Sequence, residues 1–171
     1  QDGNLLAITA RGLVTHFKAS DTWSIEASME APEACRDGQP VLPWGAAVDL
    51  DIYRPDNTQY TAFRGVVVRT RGGQITCWKR GDELPNLPIN GVDVNPYNGD
   101  VWVSTDGGAY RYNQQTGWLG FTRPILRSDR VKQVGFSPDG RVWVLSKDET
   151  SSYVILSGPN GEQSQSQSGQ P

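Results

Sequence analysis

With one histidine, two cysteines and one methionine among 171 residues, the chain has little material for a zinc site or an imidazole-based catalytic centre. Long apolar runs are missing as well. Nothing approaches the roughly 18–20 consecutive apolar residues of a bilayer-crossing helix, so no transmembrane segment of its own is expected. Positive charge is not in excess either. Sixteen Lys and Arg stand against nineteen Asp and Glu, a net charge of −3, which argues against a nucleic-acid partner held through a broad basic face. Helical periodicity is absent too: the best candidate window, Ile25 to Ala34, is broken by Pro32 and has no strong apolar face.

What is present is turn chemistry and short apolar runs. Leu5-Leu6-Ala7-Ile8, Val66-Val67-Val68, Val101-Trp102-Val103 and Val142-Trp143-Val144-Leu145 are bounded by Asp2-Gly3, Gly72-Gly73, Asn98-Gly99 and Asp139-Gly140. Such dipeptides tolerate the positive φ of tight hairpins. The expected fold class is therefore all-β.

The hairpins recur. Asn98-Gly99-Asp100-Val101-Trp102-Val103 aligns with Asp139-Gly140-Arg141-Val142-Trp143-Val144, 41 residues on. Asp2-Gly3-Asn4-Leu5-Leu6-Ala7-Ile8 repeats the turn and strand, and a looser copy carries its turn at Asp56-Asn57. A repeat of about 40–45 residues with four short strands is the pattern of propeller blades. The expected array has four units, at 1–28, 46–82, 84–122 and 125–160. An insertion covers about 29–45, and a flexible Gln/Ser-rich tail covers 161–171. The first unit starts at its second strand, so its innermost strand must come from elsewhere.

The residues also carry a family resemblance. Leu84-Pro85-Asn86-Leu87-Pro88 through Asp106-Gly107-Gly108-Ala109-Tyr110-Arg111-Tyr112 looks like the propeller repeat of two-component-regulator sensor proteins. Phe136-Ser137-Pro138-Asp139-Gly140-Arg141-Val142-Trp143 resembles the blade turn of WD-type and tectonin-type repeats. The resemblance implies a propeller and leaves the ligand open, since propellers host many functions. On this pattern Trp102 and Trp143 pack between blades.

Candidate sites follow from residue type and placement. Asp49 and Asp51 share one strand face, and Asp93 holds the equivalent place one unit later. Three converging carboxylates are a candidate Ca²⁺ site; the alternative is a solvated face or pairing with Arg54 and Arg69. Arg69, Arg71 and Trp78 form a candidate partner-docking patch, as do Met29 and Trp44 in the insertion. Tyr110, Tyr112 and Trp118 are candidate ligand-stacking rings, and the tectonin resemblance implies a carbohydrate-binding, lectin-like option. His16 lacks a recognisable nucleophile motif, so a propeller lyase or hydrolase is the minor reading. The chain begins at Gln1 without an apolar leader, which suggests a removed export signal and a periplasmic or secreted protein. In an oxidising compartment Cys35 and Cys77 could pair. The combined expectation is a non-catalytic extracytoplasmic interaction subunit, needing no cofactor, that docks on a larger protein assembly.

Overall fold

A computed structural model describes residues 5–9, 12–26, 31–36, 46–138, 140–147, 152–157 and 162–168. They form four antiparallel sheets in chain order, a propeller-like array of short-stranded units. The first sheet has three strands, β1 (Leu5–Thr9), β2 (Gly12–Phe17) and β3 (Thr22–Glu26). The second holds β4 (Asp49–Tyr53), β5 (Thr58–Ala62), β6 (Val66–Arg71) and β7 (Gln74–Lys79). The third holds β8 (Ile89–Val94), β9 (Val101–Thr105), β10 (Gly108–Asn113) and β11 (Gly117–Phe121). The fourth holds β12 (Val131–Phe136), β13 (Val142–Ser146), β14 (Ser152–Ser157) and β15 (Glu162–Ser168). Each four-stranded sheet is a simple meander, so each hairpin needs only a short turn. Gly99 shows why one such turn takes glycine. Its φ is +76°, and an added Cβ would meet the Tyr53 ring of the preceding sheet at 3.1 Å.

The sheets pack face to face through alternate residues of their strands. Between the second and third lie Tyr60, Val67, Trp78, Val92 and Val103; between the third and fourth lie Trp102, Phe121, Leu126, Val134 and Val144. Each fully buried side chain of this kind contributes about 1.5–3 kcal/mol. Trp102 is 3% exposed in the second of these layers, as expected. Trp143 differs: it lies on the last sheet and is 38% exposed, so its equivalent position is not packed between two blades.

One further expectation is corrected, and part of the segment read as an insertion is placed. Within the segment read as a flexible tail, residues 162–168 are strand. Glu162–Ser168 pairs along β14 from Ser157↔Glu162 to Ser152↔Ser168 and supplies the fourth strand of the last sheet. A ladder needs only backbone N–H and C=O groups, so a Gln/Ser strand without apolar residues can join a sheet at its edge. The region read as insertion is also partly built into the core. Glu33–Cys35 forms a short 3₁₀ turn, and Ala31 and Cys35 are buried with Ala47, Phe63, Val66 and Val68. Met29 and Trp44 lie outside the described residues.

Cys35 and Cys77 are joined by a disulfide across a sequence separation of 42, pinning this turn to β7. Replacing both cysteines with alanine is expected to lower stability by about 2–4 kcal/mol, read from the denaturation midpoint. An unchanged midpoint would show that the packing of Ala31 alone holds the segment.

Candidate functional site

The inner strand of each complete sheet lies beside that of the next: β4 against β8, and β8 against β12. An inner strand pairs with its own sheet along only one edge, so its other N–H groups need partners from elsewhere. Asp49 and Asp51 provide them. Asp49 accepts the Leu50 N–H at 2.9 Å with Oδ1 and the Val92 N–H at 3.0 Å with Oδ2. Asp51 repeats this two residues on, taking the Ile52 and Val94 N–H groups, both at 2.7 Å. Each carboxylate thus bridges two neighbouring inner strands.

Asp93 continues the ladder toward β12 by accepting the Val134 N–H, but its Oδ2 is buried and has no hydrogen-bond partner among the described residues. Burial, then the charges of Asp49 and Asp51, push its pKa up to about 8, against the pull of the Val134 N–H. Asp93 is therefore largely protonated at neutral pH. Asp49 is also raised, chiefly by burial, opposed by its two backbone donors.

These contacts engage the carboxylates of the candidate calcium site. No three His, Cys, Asp or Glu side chains converge as a metal-binding group among the described residues. Both oxygens of Asp49 and of Asp51 face N–H donors, which repel a cation where they satisfy an anion. Gly91 makes the first rung possible: a Cβ there would sit 2.7 Å from Asp49 Oδ2 and 3.0 Å from Ser104 Oγ. Gly91→Ala should displace the carboxylate from the Val92 N–H and cost about 1–3 kcal/mol. Equilibrium urea unfolding measures this, and a loss below about 0.5 kcal/mol would show that the bridge is dispensable.

Where the inner strands run out, a cleft of about 620 Å³ opens. Its walls include Ile52, Pro55, Pro96 and Phe136, and Asp51 and Asp93 form its polar part. Arg54 stands in the same lining. Gly135 replaces a side chain at the β12 position that matches Asp93, and nothing lies within 4 Å of where its Cβ would be.

The other candidate residues are placed differently. Trp78 is 5% exposed and cannot serve as an exposed docking residue. It packs with Tyr60, Tyr112 and Trp118 at ring-centroid distances of 5.9, 4.8 and 5.2 Å. Tyr112 and Trp118 are thus partly buried inter-sheet packing. Tyr110 donates its hydroxyl to the Gly107 carbonyl at 3.1 Å, and its ring covers Gly120. Alternation along a strand gives the face of such a ring but not whether the next sheet covers it.

Arg69 and Arg71 do come together, in a polar cleft of about 610 Å³ between the second and third sheets. Arg69 stands opposite Tyr60 in register, and Arg71 pairs with Asp56 at 3.1 Å. His16 meets Asp21 at 2.9 Å on the first sheet and packs on Trp23.

No protein-family model matches the chain, and no curated protein matches it. Solved structures do. The extracellular domain of a hybrid two-component system from B. thetaiotaomicron superposes with a TM-score of 0.61 at 17% identity, over 84% of this chain and 19% of that one. PorZ, a surface component of the type-IX secretion system of Porphyromonas gingivalis, gives 0.59 at 13% identity, over 95% and 24%. A Bacteroides caccae protein of unknown function gives 0.62 at 14%, over 96% and 57%. The chain therefore spans between about a fifth and three-fifths of the length of these structures. At such identities the likeness shows the fold, a repeated array of antiparallel β units.

Proposed function

We propose that the chain is a non-catalytic extracytoplasmic module that docks on a larger protein assembly. One observation carries the reading. Three sheets begin with an inner strand, β4, β8 or β12, ahead of the strand that matches β1; the first sheet has no such strand among the described residues. Among the described residues no strand pairs with the outer edge of β1, and such a row of backbone donors and acceptors suits an added strand. The names of the similar structures, an extracellular sensor-system domain and a secretion-system surface component, support an extracytoplasmic setting. The Cys35–Cys77 disulfide fits an oxidising one.

The test is to fractionate the native source and size the protein without denaturation. It should appear in the envelope or culture fluid, in a particle well above 18.8 kDa that contains a second protein in fixed ratio. A cytoplasmic, monomeric protein would contradict the reading.

A further inference from the structure

We propose that the two open end faces of the array are the halves of one interface, filled by a second copy of the chain packed head to tail. The outward face of the first sheet of one copy then lies on the Trp143 face of the last sheet of the other.

The first face is fixed by alternation and register. Successive side chains of a strand point to opposite faces. On β1, Ile8 packs against Ala47, Phe63, Val66 and Val68, so its face is the inner one. Leu5 and Ala7 point the other way, and register sets Leu5, His16 and Trp23 in one row across the three strands. Leu5 is 56% and Trp23 60% exposed, so no sheet covers this row.

The second face is the outer side of the last sheet. Val142 and Val144 of β13 belong to the layer that buries Trp102, so Trp143 between them points away from it. Trp143 is 38% exposed there, with Leu145 on the same side and Gly135 opposite it in register.

The occupant follows from the repeat itself. In the layer between the third and fourth sheets, Trp102 is buried in one cluster with Val142 and Val144 of the next sheet. Trp143 is its equivalent, 41 residues on. Aligning Asp2-Gly3 with Asp139-Gly140 sets Leu5 and Ala7 where Val142 and Val144 stand. One end of the chain thus carries the tryptophan of this layer, and the other end carries the aliphatic pair that covers it. Since both are exposed within one chain, a second copy supplies the missing half.

Such a contact is heterologous, and it closes when the rotation between copies allows. Propellers hold about four to eight units, so two chains of four sheets make a closed ring and three exceed it. The assembly is therefore a dimer with two equal interfaces. It uses sheet faces and leaves the outer edge of β1 for a different protein, so it goes beyond the docking reading and does not rest on it.

The test is sedimentation velocity on the purified whole chain. At about 0.1 mM it should run at twice 18.8 kDa, and it should dissociate on ~100-fold dilution. Leu5→Arg and Trp143→Arg each charge one end face at a side chain that is already exposed. Both should keep the circular dichroism of the parent and run as monomers. Mixed in equal amounts they should dimerise again, because one protein keeps an intact first face and the other an intact last face. If either arginine variant loses its β signal, Trp23→Ser and Trp143→Ser take their places with the same outcomes required.

A monomer at about 0.1 mM would overturn the proposal. So would a dimer that survives the single substitutions, or a mixture of the two variants that stays monomeric. Each of these leaves the docking reading standing, since that reading concerns a different protein. A dimer whose native particle holds no second protein keeps this interface and removes the docking reading.

Discussion

Trp78→Ala is expected to destabilise the chain by about 3–5 kcal/mol, the usual cost of emptying a large buried aromatic site. Trp78 sits at the centre of the aromatic group between the second and third sheets, touching Tyr60 on one side and Tyr112 and Trp118 on the other. Removing it leaves three rings without their common neighbour, and the strands that carry them cannot close the gap without breaking ladders. For a chain of this length a loss of this size should lower the melting temperature by roughly 10 °C. Trp143→Ala makes the control, because that ring is already more than a third exposed. Its cost should fall below about 1.5 kcal/mol. Calorimetry on the two variants decides the matter: equal losses would mean that the packing between the second and third sheets is not the main source of stability.

The second large effect is a pH dependence set by Asp93. Its folded pKa of about 8 lies above the ordinary 3.8, so between about pH 4 and pH 8 the folded chain holds a proton that the unfolded chain has lost. Stability therefore falls as pH rises through that window, by at most a little over ~1 kcal/mol per pH unit from this group, and levels off above it. Asp93→Asn removes the contribution. The variant should be more stable than the parent at pH 8, with the gap closing toward pH 4. Urea midpoints at four pH values measure it. A gap that does not change with pH, or one of opposite sign, would mean that Asp93 is ionised in the folded chain.

The repeat was legible because turns are local. Asn98-Gly99 and Asp139-Gly140 carry the backbone requirement of a tight hairpin in two residues, and the apolar runs beside them show where strands begin. The same alignment starts the first unit one strand late, and among the described residues the first sheet has three strands. The carboxylate ladder could not. Alternation puts Asp49 and Asp51 on one face, but only the neighbouring sheet brings the Val92 and Val94 N–H groups opposite them. A signal was present in Gly91, whose lack of a side chain one unit after Asp49 leaves room for that carboxylate. β15 was illegible for another reason: a Gln/Ser strand held by its backbone has no apolar pattern to read. Trp78 and Trp143 differ in burial because one has a sheet over it and the other lies on the last sheet, a fact of order along the array and not of local sequence.

Hydrogen exchange along β1 tests the docking account most directly. In the isolated chain, the amides of Leu5–Thr9 that pair with β2 should be protected, and the alternate ones, on the outer edge, should exchange freely. In the native particle the outer set should become protected too, while exchange in β8 and β9 stays as it was. If the outer β1 amides exchange equally fast in both states, or are already protected in the isolated chain, no partner strand completes the first sheet and the central claim is contradicted.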